Sequence, residues 1–197
     1  MQARRQWLLG ALALSLAGCG VGTVLPSPVE LDLGAPPTQA TSSASWSLDS
    51  IVLPSFNQSK LLASDAVIWR QTIDGPPNRY ATYRWSAAPA NLVRERLFER
   101  LSVHGPVLTE SINAEMPQLR VTLMQFEQVY APDGQSNEAL VTLQAVLVRE
   151  GKVLGYFVGT QSQAAEANTA IAGAGALRLA TDELLGRLMH WLSKELG

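Results

Sequence analysis

Three consecutive runs, Gln118 to Tyr130, Glu138 to Arg149 and Lys152 to Gln163, read as strands, and the links between them, Pro132-Asp133-Gly134 and Glu150-Gly151, are short and turn-like. Links this short join antiparallel neighbours, so the runs predict a β meander on which the rest of the chain must pack. In the middle run Val141, Leu143, Ala145 and Leu147 make one wholly apolar face. The alternate positions put Thr142 and Gln144 beside Val146 and Val148, a face that is either partly wet or covered by a polar partner.

Shorter strands precede the meander. Trp46 to Leu53 reads as a first strand closed by Pro54, and Ala66 to Gln71 and Arg79 to Ser86 flank the turn signal Asp74-Gly75-Pro76-Pro77. Strict alternation in Arg79 to Trp85 would put Ala81, Tyr83 and Trp85 on one face and Tyr80, Thr82 and Arg84 on the other. Ser86 is placed to cap a helix that ends before Gly105, with Ala90, Val93, Leu97 and Leu101 inward and Glu95, Arg96, Glu99 and Arg100 mostly on the other side. A longer helix runs from about Asn168 to Leu196, with Leu177, Leu184, Leu188, Trp191 and Leu192 along one face. The fold class expected is α+β: a mixed, mainly antiparallel sheet of about five to six strands with two main helices, the longer at the C-terminus.

Arg4 and Arg5, the apolar run Trp7 to Leu16 and small residues before Cys19 have the order of an export signal. The run of roughly ten residues is shorter than the about 20 needed to span a bilayer, which favours a cleaved signal over a permanent anchor. Leu16-Ala17-Gly18-Cys19 resembles the lipobox of bacterial lipoproteins. That resemblance implies removal of residues 1–18, a mature chain beginning at acylated Cys19, and lipid attachment that two or three acyl chains make effectively permanent. Gly20, where an aspartate would retain a lipoprotein in the inner membrane, implies the outer membrane. Cys19 is the one cysteine of the chain, so no internal disulfide is available and the fold must rest on its core. From Gly20 to about Ser45, Pro26, Pro28, Pro36 and Pro37 interrupt a Ser/Thr/Ala-rich stretch, which reads as a flexible tether over 19–45 followed by one globular domain over 46–197. A tether of about 25 residues has a mean reach of about 25 to 30 Å, and about 85 Å fully extended.

The chain is 47% hydrophobic and 16% charged, a globular composition, and its net charge of −2 carries no basic excess to argue for nucleic acid. The residues from which active sites are built are scarce. The two histidines, His104 and His190, stand apart from each other and from any cluster of carboxylates, no Gly-x-Ser-x-Gly elbow occurs, and Gly173-Ala174-Gly175 lacks the third glycine of a dinucleotide fingerprint. Asp65, Asp74, Asp133 and Asp182 read as solvated carboxylates of turns and helix surfaces. The expectation is a chain with no catalytic residue, no metal site, no cofactor and no enzymatic activity. Trp69, Tyr80, Tyr83 and Trp85 fall in two adjacent predicted strands; they are either core or, for Trp69, Tyr83 and Trp85 in particular, a surface for a protein partner or an apolar ligand.

The order of parts, with Ala66-Val67-Ile68-Trp69-Arg70 before the Asp-Gly turn and Tyr83-Arg84-Trp85-Ser86 opening the helix, resembles the ABC-type transport auxiliary lipoprotein family over about Trp46 to Leu196. Where family members commonly carry an aromatic-leucine-acidic-basic stretch after the first strand's proline, this chain has Ser55-Phe56-Asn57-Gln58-Ser59-Lys60-Leu61-Leu62. The resemblance implies a non-catalytic lipoprotein on the periplasmic face of the outer membrane, whose partners are an ABC transporter and a mammalian-cell-entry (MCE) domain protein of one lipid transport system. A periplasmic lipoprotein that binds lipid on its own is the alternative, and the sequence leaves homo-oligomerisation open.

Overall fold

The computed structural model of the chain describes residues 27–35 and 46–196. The signal segment, Cys19 and residues 20–26 and 36–45 of the predicted tether lie outside the described residues. The elements are β1 (Val29–Leu31), β2 (Ile51–Val52), β3 (Asn57–Gln58), a 3-10 turn at Lys60–Leu62, β4 (Ala66–Arg70), β5 (Asn78–Trp85), α1 (Pro89–Ser102), β6 (Val107–Leu108), β7 (Gln118–Tyr130), β8 (Asn137–Arg149), β9 (Lys152–Ala164) and α2 (Ala170–Leu196).

The meander is the frame. β7, β8 and β9 pair antiparallel in sequence order. Glu150 and Gly151 close the second hairpin with φ of 52° and 74°, the pair of left-handed residues that a two-residue turn needs to match the twist of its strands. The other edge of β7 is shared by three short strands, all parallel to it: β2 at Gln118, β3 at Thr122 and Leu123, and β4 at Gln128 and Val129. β6 adds to β2, and β5 pairs antiparallel with β4. The result is a mixed sheet, mainly antiparallel by length of ladder, with two helices of which the C-terminal one is longer, as the sequence predicts.

One face of the meander carries the core. Leu119, Val121, Leu123, Val141, Leu143, Ala145 and Leu147 are buried with Leu177, Leu184, Leu188 and Leu192 of α2. The helix comes close because β9 has glycine under it: a Cβ at Gly159 would lie 2.6 Å from Leu184 Cδ1, and one at Gly155 would lie 2.8 Å from Trp191 Cζ2. Thr169 caps α2 by accepting the Ala172 N–H at its hydroxyl, 3.1 Å away, which fixes a helix start that Gly173 and Gly175 leave open in the sequence.

Four expectations are corrected. Ser86 does not cap α1, whose N-cap is Ala88 without a side-chain bond; the Ser86 N–H is used to extend the sheet to the Leu31 carbonyl at 2.8 Å. The predicted first strand shrinks to Ile51–Val52, because Leu48 is drawn off to bond the His104 carbonyl. Alternation fails in β5: the register jumps between the pairs Ala66↔Arg84 and Ile68↔Arg79, and this irregularity lets Tyr80 and Tyr83 meet instead of parting. Finally, the stretch read as tether contributes β1, which lies parallel on β5 with Val29, Glu30 and Leu31 opposite Tyr83, Arg84 and Trp85.

β1 is held by a helix residue. Arg96 is 3% exposed, and its guanidinium donates to the carbonyls of Leu33 at 2.8 Å and Gly34 at 2.9 Å. Asp182 of α2 accepts from Arg96 Nη2 at 3.3 Å and from Arg100 Nη2 at 2.8 Å. Arg96, Arg100 and Asp182 are thus not solvated surface charges: one carboxylate ties α1 to α2 while Arg96 straps the N-terminal arm beside them.

Candidate functional site

The three aromatic residues singled out in the sequence separate in the structure. Trp85 is 2% exposed and packs edge-on against Phe126, with ring centroids 5.3 Å apart; it is core, because it ends β5 on the side that faces the helices. Trp69 and Tyr83 remain half-buried. They belong to a four-ring cluster in which Tyr80 sits 5.9 Å from Trp69 and 6.0 Å from Tyr83, and Trp69 sits 5.7 Å from Tyr130.

Beneath these rings runs a chain of side-chain hydrogen bonds. The Tyr80 hydroxyl lies 2.8 Å from that of Tyr130 and donates to Gln128 Oε1 at 2.9 Å. Gln128 donates to Asn137 Oδ1 at 2.6 Å and to the Thr169 carbonyl at 3.3 Å, and Asn137 reaches the Ala167 carbonyl at 3.1 Å. Gly173 permits this: a Cβ there would collide with the Gln128 side-chain amide. Burial, and then the Tyr130 hydroxyl beside it, push the Tyr80 phenol above its ordinary range, so it stays a neutral donor. The network therefore fixes a semi-exposed aromatic surface where β4, β5, the end of β7 and the start of α2 meet. Its members Gln128, Tyr130, Asn137 and Thr169 carry no local signal in the sequence, since the parallel pairing of Trp69 with Gln128 joins segments far apart in the chain.

A second surface is the uncovered face of the meander. Met124, Val153, Tyr156 and Val158 are 51%, 65%, 58% and 48% exposed, beside half-buried Thr142, Gln144, Val146 and Val148. At its edge Arg70 pairs with buried Glu127 at 2.8 Å and donates to the Gly75 carbonyl at 2.6 Å, while Gln125 donates to the other Glu127 oxygen at 2.6 Å. A recess of about 240 Å³ opens there between Leu61, Leu62, Met124 and Phe126. Both Glu127 oxygens are satisfied, so the pair anchors β4 to β7 and leaves no spare carboxylate for chemistry.

Of the histidines, His104 has Nδ1 3.0 Å from the Trp46 carbonyl and its ring stacked on Trp46 at 4.5 Å, closing the segment before β2 over the end of α1. His190 is exposed. Among the described residues no group of three or more His, Cys, Asp or Glu is arranged to hold a metal ion, and no helix is long and apolar enough to cross a membrane.

With this geometry in view, comparison with solved structures decides the fold. The chain resembles a Xanthomonas campestris protein of the DUF330 family. The TM-score is 0.69 at 16% identity, over 86% of this chain and 96% of that one. A crystal structure of an uncharacterized protein matches with a TM-score of 0.64 at 13% identity over 84% of this chain and 99% of that one. A hypothetical protein of Chlamydia trachomatis matches at 0.50 and 6% identity over 75% of this chain and 96% of that one. At such identities the likeness is one of fold. No family model and no curated protein matches the sequence.

Proposed function

We propose that the protein is a lipid-anchored, non-catalytic lipoprotein of the periplasmic face of the outer membrane, which docks an MCE-domain protein of an ABC-type lipid transport system. The observation that carries the reading is Cys19 at the end of a lipobox-like signal, joined to the order of elements that resembles the auxiliary lipoproteins. The docked arm sharpens it. With β1 beginning at Val29, only Cys19 to Pro28 separates the lipid from the domain, a length that spans at most about 33 to 36 Å. This is less than half of the extended reach of a tether running to Ser45, and it keeps the domain close beneath its membrane. There the aromatic surface of Trp69, Tyr80, Tyr83 and Tyr130 is available to the end of a partner reaching across the envelope.

The alternative, lipid carriage by the domain itself, is less well supported by the recess beside Met124, because about 240 Å³ falls below the ~300 to 1,000 Å³ of pockets that enclose a small ligand. Crosslinking in cells with a photoreactive group at Trp69 or Tyr83, followed by purification, tests the docking reading. Capture of an MCE-domain protein supports it. Absence of any envelope partner, with normal membrane permeability in a deletion strain, contradicts it.

A further inference from the structure

β9 is thirteen residues long and, among the described residues, is bonded to β8 alone. The register tells which of its backbone groups that ladder uses. The Ala165 N–H donates to the Asn137 carbonyl, so the odd-numbered residues of β8 face β9, and their partners Phe157, Gly159, Gln161 and Gln163 exchange the ladder bonds. The N–H and C=O groups of Tyr156, Val158, Thr160 and Ser162 therefore point away from the sheet. Arg187 agrees with this geometry, since it donates to the Thr160 carbonyl from outside at 3.0 Å.

Free edges of this length are ordinarily blunted by lysine, proline, inward-pointing charge or a bulge. From Val153 to Ala164 the strand has no proline and no charged residue, and its one irregularity lies at the turn end, between the pairs of Leu147 and Val148. Its caps among the described residues are side chains: exposed Arg187 on the Thr160 carbonyl, Gln161 on the Ser162 carbonyl at 3.2 Å and Gln163 on the Ala164 carbonyl at 3.5 Å.

We propose that this edge binds a second copy of the chain, β9 against β9, antiparallel about a twofold axis through Gly159. An antiparallel ladder is self-complementary about such an axis. This register sets Val158 against Thr160 and Tyr156 against Ser162, and it matches each of their outward N–H and C=O groups. Gly159 falls on the axis, where the two backbones come closest in a non-hydrogen-bonded pair. Charge agrees with the antiparallel pairing: Lys152, at the start of the strand in one copy, and Glu166, just past its end in the other, come to the same end of the pair. The two uncovered meander faces then join into one sheet face carrying both copies of Tyr156 and Val158. Arg187 must release the Thr160 carbonyl and Gln161 the Ser162 carbonyl for this to happen, so both act as reversible caps.

The test uses the lipidated protein in its own membrane and in detergent. The double substitution Val158→Cys with Thr160→Cys puts a thiol on each side of two paired positions, at the separation a disulfide requires, and mild oxidation of cells should give a covalent dimer absent from the unsubstituted chain. Sedimentation equilibrium in density-matched detergent should give a dimer for the unsubstituted protein and a monomer for Val158→Pro, which removes an outward N–H and leaves the β8 ladder untouched. Val158→Lys, at an exposed position, serves the same purpose if the proline variant unfolds. Arg187→Ala should tighten the dimer by about 25-fold, because each of the two copies no longer has to release a cap worth about fivefold, the value of one net hydrogen bond. A protein monomeric at every concentration, a dimer that Val158→Pro and Val158→Lys leave intact while folded, or thiols that crosslink only to another protein would each overturn the proposal.

Discussion

Arg96→Met should release the N-terminal arm while leaving the domain folded. The side chain is 3% exposed and donates to two carbonyls of the arm, at 2.8 and 2.9 Å. Hydrogen bonds from a charged donor contribute about 1.5 to 3 kcal/mol each, so losing both costs the docked arm about 3 kcal/mol or more. Asp182 keeps Arg100 at 2.8 Å, which confines the damage to the arm. The arm's remaining hold is a three-residue parallel pairing and the burial of Leu33, which is worth only about 1.5 to 3 kcal/mol. Ordering the backbone of residues 29–34 costs about 1 kcal/mol or more per residue, which exceeds this remaining hold, so the arm should spend much of its time detached. Amide exchange reads this directly: the Ser86 N–H, which donates to the Leu31 carbonyl, should exchange about 100-fold faster, and residues 29–34 should become open to protease. Methionine keeps the apolar stem, which separates loss of the donors from loss of packing. Unchanged protection at Ser86 would refute the assignment of Arg96 as the strap.

Trp85→Ala should cost about 3 to 5 kcal/mol of stability because the ring is fully buried, whereas Trp69→Ala should cost far less and instead reduce crosslinking to a partner; denaturant titration beside capture yield separates them. Gly159→Ala should destabilise by about 1 to 3 kcal/mol through the clash with Leu184 Cδ1 at 2.6 Å, and combining it with Leu184→Ala should cost less than the sum of the two single changes by thermal melts. Tyr80 has its folded-state pKa raised chiefly by burial, so its contribution is complete below the ordinary phenol range near pH 10 and is lost as pH rises above it. Tyr80→Phe should therefore flatten the fall in stability between about pH 10 and 11, and an unchanged slope would exclude Tyr80 as its source.

How far the sequence speaks depends on the length of each ladder. β7, β8 and β9 announce themselves because thirteen residues give alternation room to repeat, and the burial of Val141, Leu143, Ala145 and Leu147 follows from it. β2, β3 and β6 have two residues each, too few for any period, and their order is dictated by the free edge of β7. β1 is hidden by composition, since Pro28, Pro36 and Pro37 surround it. Arg96 and Asp182 look solvated by helical periodicity alone; what buries them is the arrival of the arm and of α2, both tertiary events. The candidate site shows the same division. Trp69 and Tyr83 are visible as aromatic residues in adjacent strands, but Tyr130, Gln128 and Asn137 join them only through pairing between distant segments.

The most direct test of the whole account is the intact mass of the native protein taken from its membrane. A chain that starts at Cys19 and carries a diacylglyceryl thioether and an acylated amino group is the predicted result. A free thiol at Cys19, or an N-terminus that retains residues 1–18, would contradict the anchor and with it the proposed place of the domain beneath the outer membrane.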